Sequence, residues 1–253
     1  MTCMLSLIMN LAVLVIVGMI YLRVRKLHQQ LNQMKKNVFD QTDLHVRSLF
    51  PQMECLLGLY SELDMRKSLP LMRGWAGSPD FLWHLARHAR QHHPKVVVEC
   101  GSGTSTVILA RCLQLSGAGH IYSMDHDPVY AEKTRQELTF HGLSDWATVF
   151  DAPLQKHLIN GQDWLWYASE VLPGGFGIDM LIIDGPPATT GKLARYPVGP
   201  KLFPRINAGG AVFMDDYARS DETAIAKLWQ EEWKEFAFVD MQAEKGLLCM
   251  RKT

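Results

Sequence analysis

The feature that most constrains this chain is the stretch Val96–Ala110, which reads VVVECGSGTSTVILA. A β-branched run, two glycines separated by one residue, and a second apolar run predict a buried strand, a tight turn and the start of a helix. Gly101 and Gly103 have no Cβ, so a ligand can approach their backbone closely. Because the helix N-terminus behind them offers unpaired N–H groups, the stretch predicts a nucleotide-like ligand at the carboxyl end of the first strand of an open α/β sheet.

The residues around the turn narrow the choice of ligand. A dinucleotide-binding fingerprint would have a third glycine where Thr106 stands, and a phosphate-binding P-loop would have a lysine that is absent here. Glu99, just before the turn, would repel a pyrophosphate and suits a cationic ligand such as S-adenosylmethionine, which carries an ammonium and a sulfonium. The turn resembles the first motif of class I S-adenosylmethionine-dependent methyltransferases, in which this loop holds the methionine part of the cofactor.

Size and charge set the outer limits. The chain has 253 residues, with 26 basic and 26 acidic side chains. This length suits one α/β domain with an appendage, and the balanced charge gives no footprint for nucleic acid. The five cysteines have no metal-site spacing, so reduced thiols in a cytosolic setting are expected.

The N-terminus predicts a membrane anchor. Met4–Leu22 contains 19 residues without a charged side chain, close to the about 20 that cross a bilayer. A signal peptide would require a basic residue before this span, and none is present. Instead, the span is followed by Arg23, Arg25 and Lys26. A single-pass anchor with a cytoplasmic catalytic domain is predicted, against a signal peptide or a soluble core helix as alternatives.

A helical stalk is predicted after the span. Apolar residues recur at three- and four-residue spacing from Val24 to Val38, as in a coiled-coil seam. The stalk would join two copies as a homodimer, or else lie as an amphipathic helix on the domain or on membrane lipid. The predicted domains are an anchor at 1–22, a basic stalk at 23–44 and a catalytic domain at 45–253, whose helical lead-in is expected to break at Pro51 and Pro70.

Acids also follow the second and third predicted strands. His120–Asp125 ends about twenty residues past the glycine turn, where an acid can bind ribose hydroxyls. Asp127 is predicted to cap the next helix, although both acids could be caps only. After the third strand, Ala147–Phe150, the resemblance implies an adenine-contacting acid, and the pattern of residues 153–178 indicates no clear element. The predicted cofactor-binding set is Glu99, Gly101, Ser102, Gly103, Ser105, Asp125, His126, Asp151, Ala152 and Asp184.

Three carboxylates are expected to meet at the ends of the fourth and fifth strands. Asp184 ends the fourth, and Asp215 and Asp216 end the fifth. This resembles the catechol-O-methyltransferase-like branch, which holds a divalent metal between an acid and an Asp-Asn pair, here Asp-Asp. The resemblance implies Mg²⁺ bound by these three acids, because hard oxygen ligands suit that ion. Alternatively, Asp184 only positions the cofactor amine and the other two only cap a helix.

The loop Pro186–Pro197 is long for a plain connection, and such loops often carry specificity. Lys192 is the candidate base beside Asp184, while Arg195 and Tyr196 are expected to contact an anionic or sugar-like acceptor. The alternative is ordinary surface charge with a packed tyrosine. Three polar residues at the start of the next helix are expected to pair with the loop: Arg219, Asp221 and Glu222.

The chain closes with a predicted hairpin over 236–251, which matches the antiparallel last strand of methyltransferase sheets. The predicted fold is a Rossmann-like, doubly wound α/β sheet of seven strands. The expected function is methyl transfer from S-adenosylmethionine to a hydroxyl of a small or membrane-proximal acceptor, with Mg²⁺ as a candidate second cofactor. The alternatives are a non-catalytic cofactor-binding membrane module and an NAD-dependent oxidoreductase.

Overall fold

A computed structural model describes residues 2–72, 74 and 76–253 of the chain. It divides into two compact units, one ending at Phe50 and the other running from Pro51 to Thr253. The predicted catalytic domain, 45–253, begins a few residues before the second unit.

The first helix, α1, is longer than the sequence predicts. It runs from Thr2 to Glu62 and continues through Pro51, so the expected break there is wrong. Proline removes one backbone N–H from a helix and usually kinks or ends it. Here the turns beyond Pro51 are stabilised by tertiary packing, because Leu59 and the following Leu63 are fully buried in the core of the second unit.

The described apolar side chains of the first unit face outward. Those between Val13 and Leu22, and those of the seam from Val24 to Val38, are about half exposed or more. Among the described residues, no helix combines the length and apolar character needed to cross a bilayer. The span predicted over 4–22 is therefore not confirmed, and its side chains at 4–9, 11 and 12 lie outside the described residues.

The second unit is built on a mixed sheet with helices on both faces. Its elements in chain order are α2 (Pro79–His92), β1 (Val96–Cys100), α3 (Thr104–Ser116), β2 (His120–Asp125), α4 (Pro128–His141), β3 (Ala147–Asp151), β4 (Leu154–Ile159), β5 (Gln162–Tyr167), β6 (Ile178–Ile183), α5 (Val198–Leu202), β7 (Ile206–Asp215), α6 (Ser220–Glu232), β8 (Phe236–Met241) and β9 (Leu247–Lys252).

The sheet confirms the predicted fold. Seven strands lie in the order β3-β2-β1-β6-β7-β9-β8. The first five are parallel, whereas β9 runs antiparallel to β7 and β8. The strand order reverses between β1 and β6, and ligands of open α/β sheets bind at the carboxyl ends of the strands at such a point.

Apolar residues on successive positions of a strand supply both faces of the sheet. Val97 of β1 packs with α2 and α3 on one face, and Val98 packs with the layer that includes α6 on the other. Strands buried on both faces need such continuous apolar runs, which is why the sequence signal was clear.

Between β3 and β6 the chain forms a hairpin where the sequence indicated no clear element. Strands β4 and β5 pair antiparallel as a separate two-stranded sheet. Trp166 and Tyr167 at the end of β5 are fully buried in the second face of the main core. The hairpin is therefore tied to the sheet by its aromatic residues.

Candidate active site

The glycine turn lies at the carboxyl end of β1, as predicted. Gly101 has φ +100°, a conformation that glycine adopts without strain, and its N–H donates to the Met124 carbonyl at 2.9 Å. A Cβ on Gly101 would lie 3.5 Å from the backbone carbonyl carbon of Asp184, whereas one on Gly103 would have nothing within 4 Å. The turn therefore packs against β6 on one side and leaves open space beside its backbone on the other.

Glu99 is buried directly before this turn. Its Oε2 accepts hydrogen bonds from the hydroxyls of Thr106 (2.6 Å) and Ser123 (2.5 Å), and its Oε1 has no hydrogen-bond partner in the part of the chain that the structure describes. Burial raises the pKa of Glu99 to about 7, although hydrogen bonds from Ser105, Ser123 and Thr106 oppose the shift. The unpartnered oxygen would gain most from a cationic ligand group.

Asp125, at the end of β2, ties the turn to the next helix. Its Oδ2 accepts from the N–H (3.2 Å) and hydroxyl (2.5 Å) of Ser102, and its Oδ1 accepts from the N–H of Asp127 (3.0 Å). Asp127 in turn accepts from the N–H of Val129, so its predicted capping role is confirmed. His126 Nδ1 lies 3.7 Å from Asp125 Oδ1.

Asp151 and Ala152 lie beside Asp125, because β2 and β3 end in register. The exposed Asp151 carboxylate pairs with Arg135 at 2.7 Å. The Ala152 N–H donates to the Asp125 carbonyl at 2.7 Å, which leaves that N–H engaged within the protein. The predicted cofactor residues of the glycine turn and of the ends of β2 and β3 therefore lie at one edge of the sheet.

The three acids after β6 and β7 also converge, as predicted. Carboxylate oxygens of Asp184, Asp215 and Asp216 lie within 4.8 Å of one another. Asp215 is buried, and among the described residues neither of its carboxylate oxygens has a hydrogen-bond partner. Burial and the neighbouring Asp216 raise the pKa of Asp215 to about 6, and burial with Asp215 raises the pKa of Asp184 well above its ordinary value.

Arg195 lies among these acids, which the sequence did not predict. Its side chain is only 3% exposed, so the expected contact with an anionic acceptor is wrong. Nη1 donates to the Asp215 carbonyl (2.8 Å), and Nη2 donates to the Asp184 carbonyl (3.1 Å) and to Asp216 Oδ2 (2.8 Å). Buried guanidinium groups need such acceptors, and the fork of donors matches the ends of two strands.

The start of α6 holds the loop that carries Arg195. Glu222 Oε1 lies 3.6 Å from Arg195 Nε, and Asp221 accepts from the Leu193 N–H at 2.9 Å. Arg219 also binds Asp216, at 2.8 Å. The predicted pairing with the loop is confirmed for Asp221 and Glu222, whereas Arg219 pairs with Asp216 instead.

The site fits Mg²⁺ in the type of its oxygen donors, but one of its three acids is already paired. Asp216 binds two guanidinium groups, those of Arg195 and Arg219. At an effective dielectric constant near 20, a guanidinium about 4 Å from a divalent ion would repel it by about 8 kcal/mol, which offsets part of the attraction from the carboxylates. The predicted Mg²⁺ stays a prediction.

Lys192 and Tyr196 line a cavity of about 270 Å³ between the β4–β5 hairpin, the loop and α6. Lys192 is exposed. The Tyr196 hydroxyl donates to Glu232 at 2.7 Å, and its ring centroid lies 4.7 Å from that of Trp164. The indole N–H of Trp164 has no partner. The cavity thus offers aromatic faces, one cation and hydrogen-bonding groups.

Comparisons with known proteins agree with this geometry. The profile of a family described as "Methyltransferase domain" (Methyltransf_24) matches residues 98–217, from β1 to just beyond β7. No match is found among curated proteins. The profile match agrees with the predicted resemblance to methyltransferases, and the solved structures below share the predicted fold.

Solved methyltransferases share the fold at low identity. The S-adenosylhomocysteine-bound methyltransferase PaMTH1 of Podospora anserina is 15% identical with a TM-score of 0.56, over 79% of this chain and 88% of that one. The O-methyltransferase of Bacillus cereus, also solved with S-adenosylhomocysteine, is 17% identical with a TM-score of 0.54, over 80% of this chain and 90% of that one. The O-methyltransferase TomG of Streptomyces achromogenes is involved in tomaymycin synthesis and was solved with S-adenosylmethionine. It is 16% identical with a TM-score of 0.51, over 77% of this chain and 86% of that one.

Proposed function

Since residues 98–217 match a methyltransferase domain, we propose that the protein transfers the methyl group of S-adenosylmethionine to an oxygen atom. The observation that carries the proposal is the pairing of two buried acids, Glu99 and Asp125, on either side of an open glycine turn. Glu99 has an oxygen available for a cationic group, and Asp125, at the end of the neighbouring strand β2, is the acid that we assign to the ribose. The three solved relatives described above hold S-adenosylmethionine or its demethylated product, which supports the choice of cofactor.

Each predicted cofactor residue receives a role in this proposal. Glu99 and the turn from Gly101 to Ser105 bind the methionine part, and Asp125 with His126 binds the ribose. Asp151 and Ala152 lie on the adenine side, and Asp184 faces the amine or the methyl group. In-line methyl transfer needs mainly this positioning and a deprotonated nucleophile.

Calorimetric titration of the full chain with S-adenosylmethionine and with NAD tests the proposal. We expect S-adenosylmethionine to bind and NAD not to bind. Binding of NAD alone would favour an oxidoreductase, and absence of S-adenosylmethionine binding would overturn the proposed function. Methyl transfer to a hydroxyl acceptor, followed with a radiolabelled methyl group, separates an enzyme from a non-catalytic binding module.

The acceptor is proposed to enter the cavity beside Lys192. Its aromatic walls, Trp164 and Tyr196, suit the face of a phenol or a sugar, and its polar groups suit hydroxyls. In the reaction the acceptor oxygen forms a bond to the methyl carbon, the carbon–sulfur bond breaks, and the hydroxyl proton passes to a base, for which we propose Lys192.

Replacing Lys192 tests its role as the base. Lys192→Met should lower kcat about a hundredfold, the usual lower limit for loss of a general base, without changing the affinity for S-adenosylmethionine. The control is Lys227→Met, on the exposed side of α6, which should keep wild-type kcat. Equal kcat in the two variants would remove Lys192 from the reaction.

The membrane location and the homodimer are also proposals. The exposed apolar side chains between Val13 and Leu22, followed by Arg23, Arg25 and Lys26, support contact with membrane lipid and a cytoplasmic catalytic domain. The exposed seam from Val24 to Val38 supports pairing with a second copy. Flotation with anionic vesicles and chemical crosslinking measure the two properties. Neither should persist when the seam and the apolar run are replaced by serine.

A further inference from the structure

We propose that Arg195 supplies the positive charge that a divalent cation would otherwise bring to the ends of β6 and β7, so that the site works without a metal. The proposal deepens the proposed function, because it concerns the same edge of the sheet. The charge arrangement itself is tested below by metal binding, independently of methyl transfer.

The position of Arg195 is set by the sheet itself. Its two terminal nitrogens bind the backbone carbonyls of Asp184 and Asp215. Asp184 directly follows β6, and Asp215 is the last residue of the neighbouring strand β7. The same nitrogen that binds Asp184 also binds the Asp216 carboxylate at 2.8 Å. Nη2 also lies 3.7 Å from the Asp184 carboxylate. A single buried cation therefore lies beside all three members of the acid cluster, through two backbone carbonyls and the carboxylate of Asp216.

The loop around Arg195 is fastened on both sides. Asp221 accepts from the backbone N–H of Leu193, and the hydroxyl of Tyr196 donates to Glu232, so two residues of α6 hold the neighbours of Arg195. Glu222, also on α6, faces the guanidinium at 3.6 Å. These contacts hold the backbone on both sides of Arg195, and the acceptors at the ends of β6 and β7 hold its guanidinium.

The arrangement also leaves acid oxygens available. Both carboxylate oxygens of Asp215 lack partners, and they lie within the cluster of 4.8 Å that includes Asp184. If Arg195 is removed, three carboxylates remain close together without their shared cation, which is the usual condition for divalent metal binding. The structure therefore predicts that loss of Arg195 creates a metal site.

Mn²⁺ binding to the full chain, followed by the loss of the free-ion electron paramagnetic resonance signal, tests this inference. Wild type should show no saturable site that depends on Asp215. Arg195→Met should gain a site and an increase in unfolding temperature with Mn²⁺, and both gains should disappear in the double variant with Asp215→Asn. Arg195→Lys keeps the charge and should gain no site. The matched control, Arg219→Met, removes the other guanidinium at Asp216 and should also gain none.

Two outcomes would overturn the proposal. The first is a saturable Mn²⁺ site in wild type that Asp215→Asn abolishes, which would show that a metal binds beside Arg195. The second is a folded Arg195→Met variant that binds no Mn²⁺. Should Arg195→Met not fold, the comparison of wild type with Asp215→Asn still decides the question. If the wild-type protein does not bind S-adenosylmethionine, that result would count against the proposed function alone.

Discussion

Asp125→Ala should weaken S-adenosylmethionine binding about a thousandfold, or about 4 kcal/mol, since hydrogen bonds to a charged group contribute about 1.5–3 kcal/mol each. The change would remove the proposed contacts to the ribose. It would also release the turn, because Asp125 accepts from the N–H and hydroxyl of Ser102 and from the N–H of Asp127. Calorimetry with S-adenosylmethionine measures the effect.

Asp127→Ala is the matched control. It removes an acid two residues away, whose side chain caps α4 through the Val129 N–H. Loss of a helix cap lowers the free energy of unfolding by about 1 kcal/mol, and the affinity for S-adenosylmethionine should change less than about tenfold. Equal losses of affinity in the two variants would mean that Asp125 acts only through the structure of the turn.

The local pattern predicted most of the fold. Strand β2 has the predicted bounds, because a buried parallel strand has a continuous apolar run, and helix α4 begins directly after its predicted cap, Asp127. The path of α1 through Pro51 was not predictable from local pattern. That turn is stabilised by burial of Leu59, and such tertiary packing has no local sequence signal.

The acids of the site were predictable because they follow strands, and parallel strands end at one edge of a sheet. The residues that contact these acids were harder to predict from the sequence. Ser123 had a weak signal, as a hydroxyl in an apolar strand opposite Glu99. Arg195 had none, since its loop contains a second cation, Lys192, and since no spacing reveals which of the two is buried. The charge of the acid cluster, and with it the question of Mg²⁺, therefore depends on a contact that only the three-dimensional structure provides.

Glu99→Gln should change the pH dependence of stability more than any other single substitution at the glycine turn. The pKa of Glu99 is about 7 in the folded chain and 4.5 ordinarily. Between these values the folded protein holds a proton that the unfolded chain has released, so the free energy of unfolding falls as pH rises. At about 1.4 kcal/mol per pH unit, the loss reaches about 3 kcal/mol near pH 7 and then levels off.

The variant should lack this contribution, because glutamine has no proton to lose and its amide can still bond Thr106 and Ser123. Urea unfolding at pH 5 and pH 8 should therefore show Glu99→Gln more stable than wild type at the higher pH by up to about 3 kcal/mol, and close to it at the lower. The pKa of Asp215 is also raised, chiefly by burial and Asp216, and this contribution is common to both proteins. The charge of Glu99 is a minor cause of the raised pKa of Asp184, so the variant lowers that pKa slightly. The exposed Glu132→Gln on α4 should follow wild type.

Cofactor binding should favour the ionised form of Glu99, whereas folding favours its protonated form. A cationic ligand group beside Glu99 Oε1 favours the carboxylate, so binding of S-adenosylmethionine near pH 6 should release a proton from wild type and none from Glu99→Gln. Calorimetry in buffers of different ionisation enthalpy measures that proton. A variant that is more stable above pH 7, yet binds the cofactor more weakly, would identify Glu99 as a residue whose burial lowers stability and serves binding. Equal proton release from both proteins would place the ligand's cation elsewhere.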